Sequence, residues 1–327
     1  MEKFDAIVIG SGSGGLSTAL CLARSGQNVL VLEQHYVPGG WCHTFTLNGQ
    51  RFSPGVHYIG LLDEGQSTNE LYKGLGIAND LTFFRMNKNG YDHCIIANQK
   101  FDLPAGVNNL QNKLIETFPK EEKNIKEYLS LIQKVNYELQ LMPRLKGLWQ
   151  KITVPFRTKH FGKFALFSLK RVIGWHIKDP ILQAILNSQC GDHGLPPSQA
   201  CFPVHCSVMN HYFDGGFYPM GGGSSIVKAM TSKIKSYGSE IRVSQKVAKI
   251  IVENNQAKGV VLATGETILA NTVVSNADPS ITFLKLIGKE NISKKLEKKL
   301  SKTKYSVTSL IMFLTLEVDV TKYGIDS

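Results

Sequence analysis

The feature that most constrains this chain is the run Gly10-Ser11-Gly12-Ser13-Gly14-Gly15 and what stands on either side of it. The β-branched run Ala6 to Ile9 precedes it and reads as a strand. After it, Leu16, Ala19, Leu20 and Ala23 recur at helical spacing, and Gly26 stands where a left-handed cap would end the helix. Val29 to Leu32 reads as a second strand and ends at Glu33. Strand, glycine turn, helix and strand predict a βαβ unit over residues 4–33. Gly10, Gly12 and Gly15 fit the dinucleotide fingerprint, with Gly14 inside the same turn. The first glycine allows the tight turn, the second lets the backbone approach a pyrophosphate, and the third lets helix and strand pack closely. The pyrophosphate would sit at the helix N-terminus, where free N–H groups and the dipole favour negative charge. Glu33 is placed to accept hydrogen bonds from the adenosine ribose hydroxyls. The plainer alternative is a glycine turn in an ordinary α/β fold, with Glu33 merely solvated.

Glu33 suits NAD and FAD equally, but the rest of the chain separates them. An NAD domain would continue with alternating strands and helices. Here residues 34–66 form a loop-rich stretch with Gly39, Gly40, Gly49, Gly55, Gly60 and Gly65. Asn108 to Leu141 reads as helical with a break at Pro119. Much later a glycine turn, Gly221 to Gly223, enters a helix over Ser225 to Ser236. Strands are predicted at Ile241–Val243, Val247–Val252, Gly259–Leu262 and Thr267–Ser275, with turns at Asn254-Asn255 and Thr264-Gly265. A βαβ unit followed by a glycine-rich wrapping loop and a β-meander points to FAD. No second GxGxxG follows a strand, so no dedicated NAD(P) domain is expected.

A hydrophobic share of 43% and a charged share of 19% suit a globular protein and exclude a disordered one. The net charge of +11 calls for an anionic partner: nucleic acid, a phosphate-rich cofactor or an acidic membrane surface. Residues 140–178 concentrate that charge. They contain no Asp or Glu, and Trp149, Phe156, Phe161, Phe164, Phe167 and Trp175 lie among Arg144, Lys146, Lys151, Arg157, Lys159, Lys163, Lys170, Arg171 and Lys178. A membrane-surface segment and plain helices of a substrate region both account for this pattern. No nucleic-acid module is present. Val307 to Leu316 is too short and too interrupted to span a membrane and reads as a buried strand. The opening residues lack a signal-peptide layout, and six scattered cysteines suggest reduced thiols, so a cytoplasmic location is expected, with peripheral membrane contact through 140–178. Cys190, His193, Cys201, His205 and Cys206 match no standard zinc spacing, so no metal is expected.

Longer motifs carry a family resemblance. Asp5-Ala-Ile-Val-Ile-Gly-Ser-Gly, Glu33-Gln34, Pro38-Gly39-Gly40, Phe45 and Gly55-Val56-His57-Tyr58-Ile59-Gly60 resemble the flavin-dependent phytoene desaturase group. Cys190 to Pro197, Tyr218-Pro219-Met220-Gly221-Gly222 and Val274 to Asp278 resemble its retinol saturase and carotenoid isomerase branch. The resemblance implies an α/β fold: a Rossmann-like FAD-binding domain (βαβ plus β-meander) with an inserted α+β substrate domain. Its parts would be 1–66 and 216–285 for FAD, 67–215 for substrate and membrane, and 286–327 for the start of a second substrate segment. Gly39, Gly40 and Trp41 would approach the diphosphate and ribityl chain, although much of the wider group has Arg where Trp41 stands. Gly55 to Tyr58 would pass near the isoalloxazine ring, and the backbone of Val247 would pair with adenine. Ser275, Asn276 and Ala277 would lie by the adenosine end.

His57 is the candidate for moving the proton that accompanies hydride transfer, with Tyr58 a weaker one; a structural histidine bonded to loop backbone is the plainer reading. The implied reaction saturates, desaturates or isomerises C=C bonds of a hydrophobic polyene, with an external electron donor or acceptor. Members of the group run on past this chain's last residue, Ser327. Two alternatives therefore stand beside the enzyme: an inactive fragment or flavin-binding half of a split enzyme, and a membrane-associated binding protein.

Overall fold

The computed structural model describes residues 2–142 and 153–323. Its centre is a six-stranded sheet. The strands that build its parallel part are β1 (Lys3–Ile9), β2 (Val29–Leu32), β9 (Glu240–Arg242) and β12 (Thr267–Ser275). The strand order is β10-β11-β12-β1-β2-β9, where β10 (Val247–Glu253) and β11 (Gln256–Leu262) complete an antiparallel meander with β12. Side chains alternate across β1, so Ala6 and Val8 point to one face and Ile7 and Ile9 to the other. On the first face lie α1 (Ser13–Arg24), α2 (Ser67–Leu75) and α10 (Gly223–Ser236), through Leu16, Leu20, Leu75, Ile226 and Ile234. On the second, Ile7 and Leu30 pack with Ile250, Val260 and Ile268 of the meander. Both faces are buried, which is why β2 reads as an unbroken apolar run.

Gly15 sets how close α1 can come to β1. A Cβ there would run into the carbonyl oxygen of Gly10. Gly10 itself turns the chain at φ +90, a conformation that side chains strain to adopt. The sheet and its helices therefore meet where the fingerprint requires glycine.

A second core lies in the inserted region. The hairpin β6 (Asp92–Ile96) and β7 (Gln99–Leu103) packs with α3 (Val107–Thr117) and α4 (Glu122–Leu141), around Tyr128, Ile132 and Leu114. Helices α7 (Leu169–His176), α8 (Pro180–Leu186) and α9 (Phe202–Tyr212) close it with Val172, Leu182 and Phe202. Asp179 caps α8 by accepting from the N–H groups of Ile181 and Leu182, with Pro180 at the first helical position. The strand pair β5 (Phe83–Arg85) and β8 (Phe217–Pro219) joins the two ends of this region. Tyr72, Leu75 and Ile77 pack with α1 and α10, so the first residues of the inserted stretch belong physically to the sheet's helical layer.

Two expectations change. Val307 to Leu316 is not a buried strand: it is irregular coil, with Leu310 97% exposed. A strand needs a neighbour's hydrogen-bonding edge, and β-branched composition alone does not supply one. Instead Val307 donates its N–H to the Gly194 carbonyl, and Phe313 packs on Phe45 and Phe52. The basic aromatic stretch is also divided. Phe164 and Phe167 pack with the second core, whereas Phe156 and Leu166 are exposed. Arg144, Lys146, Trp149 and Lys151 lie outside the described residues.

Candidate functional site

At the C-terminal end of the parallel strands a cleft of about 870 Å³ opens, where open α/β sheets bind ligands. Gln245, Lys246, Val247 and Ala248 line it at the entry to β10. Glu33 and Gln34 follow β2, Gly10, Gly12 and Ser13 form the turn before α1, and Gly40, Trp41 and Cys42 come from the loop after β2. Asn276, Ala277, Ile281, Lys285 and Leu286 complete the wall. The sequence-predicted residues Gly10, Gly12, Glu33, Gln34, Gly40, Trp41, Val247, Asn276 and Ala277 thus share one space.

The chemistry of this wall suits a dinucleotide. No side chain caps the N-terminus of α1, so its first N–H groups face the cleft for an anion to use. Gly39 and Gly40 bring the following loop against this turn; Gly39 bridges to Gly12, and a Cβ at Gly40 would press on the Gly12 backbone. The Glu33 carboxylate accepts from the Ser11 N–H at 2.9 Å, the Ser11 hydroxyl at 2.6 Å and the His35 N–H at 2.9 Å. Burial pushes this carboxyl up, but the bonds from Ser11 and His35 outweigh it and hold its pKa below the usual carboxylate range. Glu33 is therefore a fixed anion with lone pairs remaining for a diol.

Ser11 is the residue that sequence reasoning missed. Its hydroxyl also accepts from the Gly39 N–H at 3.0 Å, so one side chain ties the fingerprint turn to Glu33 and to the Gly-Gly loop. The signal was a hydroxyl at a variable position of the motif. Asn276 was placed at the adenosine end, but its side chain lies against Gly12 and Gly14, over the fingerprint turn. Ser275 does not face this cleft. Its hydroxyl bonds to Thr282, and it lines a neighbouring cavity on the meander side.

Gly55, His57 and Tyr58 lie outside the cleft lining. Gly55 packs on Trp41, and Val56 meets Gly223, so the Gly-Gly loop, residues 53–60 and the turn at Gly221 to Gly223 form one assembly. Arg51 stitches it by donating to Ser224 Oγ at 3.0 Å. Ile59 and Phe217 exchange backbone hydrogen bonds at 2.8 Å. His57 Nε2 stands 3.8 Å from Asp192 Oδ1. Tyr58 donates to Asp92 Oδ2 at 2.7 Å and meets Tyr212 edge-on at 4.9 Å. Burial and the Asp92 carboxylate raise Tyr58 far above the usual phenol range, so it stays a neutral donor. Burial also raises the Asp192 carboxyl, against the opposing pull of His57.

Residues 13–306 match the family described as flavin containing amine oxidoreductase. All-trans-retinol 13,14-reductase of Danio rerio is 31% identical, over 97% of this chain and 54% of that protein. Chloroplastic prolycopene isomerase of Daucus carota is 28% identical, over 90% of this chain and 49% of that protein. The chain spans about half the length of the curated relatives it matches. Among solved structures, an oxidoreductase from Methanosarcina mazei superposes with a TM-score of 0.63 at 21% identity, covering 92% of this chain and 65% of that one.

Proposed function

The chain belongs to the flavin containing amine oxidoreductase family, and from that premise we propose that it holds FAD in the cleft and acts on C=C bonds of a hydrophobic polyene. The observation that carries the cofactor is the chain of contacts along the lining: Gln245 donates its N–H to the Glu33 carbonyl, Glu33 accepts from Ser11 in the turn before α1, and Gly39 bridges to Gly12 of that turn, next to Gly40–Cys42. That order matches adenine, ribose, pyrophosphate and ribityl chain. In this reading the Val247 backbone holds the adenine and Glu33 orients the ribose, while the first turn of α1 neutralises the phosphates. Bound there, FAD supplies a two-electron hydride donor or acceptor. Residues 1–66 and 216–285, with α2 packed on them, make up the FAD unit, and the rest of 67–215 makes up the substrate unit.

The polyene class rests on the names of the retinol-reducing and prolycopene-isomerising relatives. Saturation, desaturation and isomerisation draw on the same residues, and an external electron donor or acceptor sets the direction. We assign His57 to hold the proton that accompanies hydride transfer, with Asp192 orienting its ring. Tyr58, fixed on Asp92, shapes the wall beside it. The test adds a conjugated polyene to the FAD-loaded, reduced protein under anaerobic conditions and follows the polyene's absorbance. Saturation shortens the conjugated system and shifts its band to shorter wavelength. The His57→Gln variant is expected to keep its FAD and lose on the order of 10²- to 10⁴-fold in rate. Equal rates would remove His57 from the chemistry.

Two exposed features support narrower readings. Phe156, Leu166 and Trp175 stand exposed among lysines and arginines, which favours peripheral contact with an anionic membrane. No described helix is long and apolar enough to cross one. The exposed apolar run Val307 to Leu316 favours a flavin-binding unit that becomes active only when further polypeptide covers it. Under that reading the FAD-loaded chain leaves every polyene unchanged in the same assay.

A further inference from the structure

The second core brings together three side chains that spacing in the sequence does not. Cys190 and His193 lie on the 3₁₀ turn Ser188–His193, and His205 lies on α9. The Cys190 sulfur and one ring nitrogen of each histidine all fall within 4.8 Å of one another. Cys201, another member of the sequence cluster, is turned toward the Ala165 carbonyl instead.

The local geometry is that of a ligand set. His205 Nε2 faces the Leu186 carbonyl at 3.0 Å. A carbonyl only accepts, so Nε2 carries the proton and Nδ1 presents its lone pair. Metal-bound histidines are oriented in this way, by donating the other ring N–H to a carbonyl. His193 Nε2 stands 3.3 Å from that lone pair. Two imidazole nitrogens on one tetrahedral zinc, each bonded at about 2.0–2.1 Å, are separated by roughly 3.3–3.4 Å. His205 is fully buried, which favours the neutral ring that a metal needs.

An independent observation points the same way. The Tyr128 hydroxyl is fully buried and has no hydrogen-bond partner. Burial, with the thiols of Cys206 and Cys190 in the same core, holds it well above the usual phenol range, so it stays a neutral donor. A buried hydroxyl without a partner calls for an explanation such as a bound water or ion. A water held on a metal in this core would supply the acceptor it lacks.

We propose that Cys190, His193 and His205 bind a zinc-class divalent cation, with water in the fourth position. Binding forms a sulfur–metal bond as the Cys190 thiol gives its proton to solvent, so no electrons change hands. The site ties the turn carrying Asp192 to α9 and thereby steadies the carboxylate facing His57. It does not depend on the flavin reading.

The test titrates the chelator-treated, metal-free full chain with Co²⁺ and follows absorbance, with Zn²⁺ as competitor. One equivalent should bind and produce a thiolate-to-cobalt charge-transfer band with tetrahedral d–d bands, all bleached by Zn²⁺. Cys190→Ser should abolish the charge-transfer band. His193→Gln keeps a donor for His205 Nδ1 and removes the metal ligand, so it should stay folded by circular dichroism and lose stoichiometric uptake. An unchanged spectrum with Co²⁺ would overturn the proposal and leave a plain imidazole–imidazole hydrogen bond. Uptake that persists equally in Cys190→Ser and His193→Gln would overturn it as well.

Discussion

Glu33 shows how one side chain joins fold and function. It takes three hydrogen bonds from Ser11 and His35, and it faces the cleft where a ribose diol would sit. Glu33→Gln removes the charge from all of them. Hydrogen bonds to a charged group contribute about 1.5–3 kcal/mol, so FAD affinity should fall on the order of 10- to 100-fold. An unchanged dissociation constant in fluorescence titration would take Glu33 out of cofactor binding. The carboxyl is held below its usual range in the fold, so its stabilisation is complete above the ordinary carboxylate pKa and fades as pH falls through the lowered value. The melting-temperature gap between the native chain and Glu33→Gln should therefore stay constant from neutral pH down to that range and shrink below it. Glu33's place beside the cleft was legible because it directly follows the second strand. Ser11 was not, because a hydroxyl at a variable motif position gains meaning only once Glu33 and the Gly39 N–H are placed around it.

At the scale of elements, the βαβ unit and the meander could be read from local pattern. β1, α1, β2, α10 and β12 lie where periodicity and glycine punctuation put them. The run Val307 to Leu316 failed for the opposite reason: apolar composition is local, but strand pairing depends on an edge elsewhere. The basic aromatic stretch was half legible, since only packing tells Phe164 in the core from Phe156 in solvent. Two glycine substitutions test the element-level account. Gly15→Ala forces α1 away from β1 and should cost about 1–3 kcal/mol, as overpacking does, together with FAD binding. Gly174→Ala, in α7 with open space around it, should stabilise by roughly 0.5–1 kcal/mol. Equal melting temperatures for the two variants would contradict the close helix–strand contact.

At the scale of the molecule, a sheet-based unit with its cleft stands beside a helical core, and the chain carries a net charge of +11. The exposed Phe156, Leu166 and Trp175 give part of that charge an apolar edge. Changing all three to Ser should lower co-sedimentation with anionic vesicles and leave neutral vesicles unaffected; undiminished co-sedimentation would discard membrane contact. The central claim is that the cleft is built for FAD. The most direct measurement is the visible absorption spectrum of the purified chain after incubation with FAD and removal of the excess. The account predicts the two bands of oxidised flavin at one FAD per chain, lost in Gly12→Val and released intact on denaturation. A chain that stays colourless, or a Gly12→Val variant that colours equally, would contradict it.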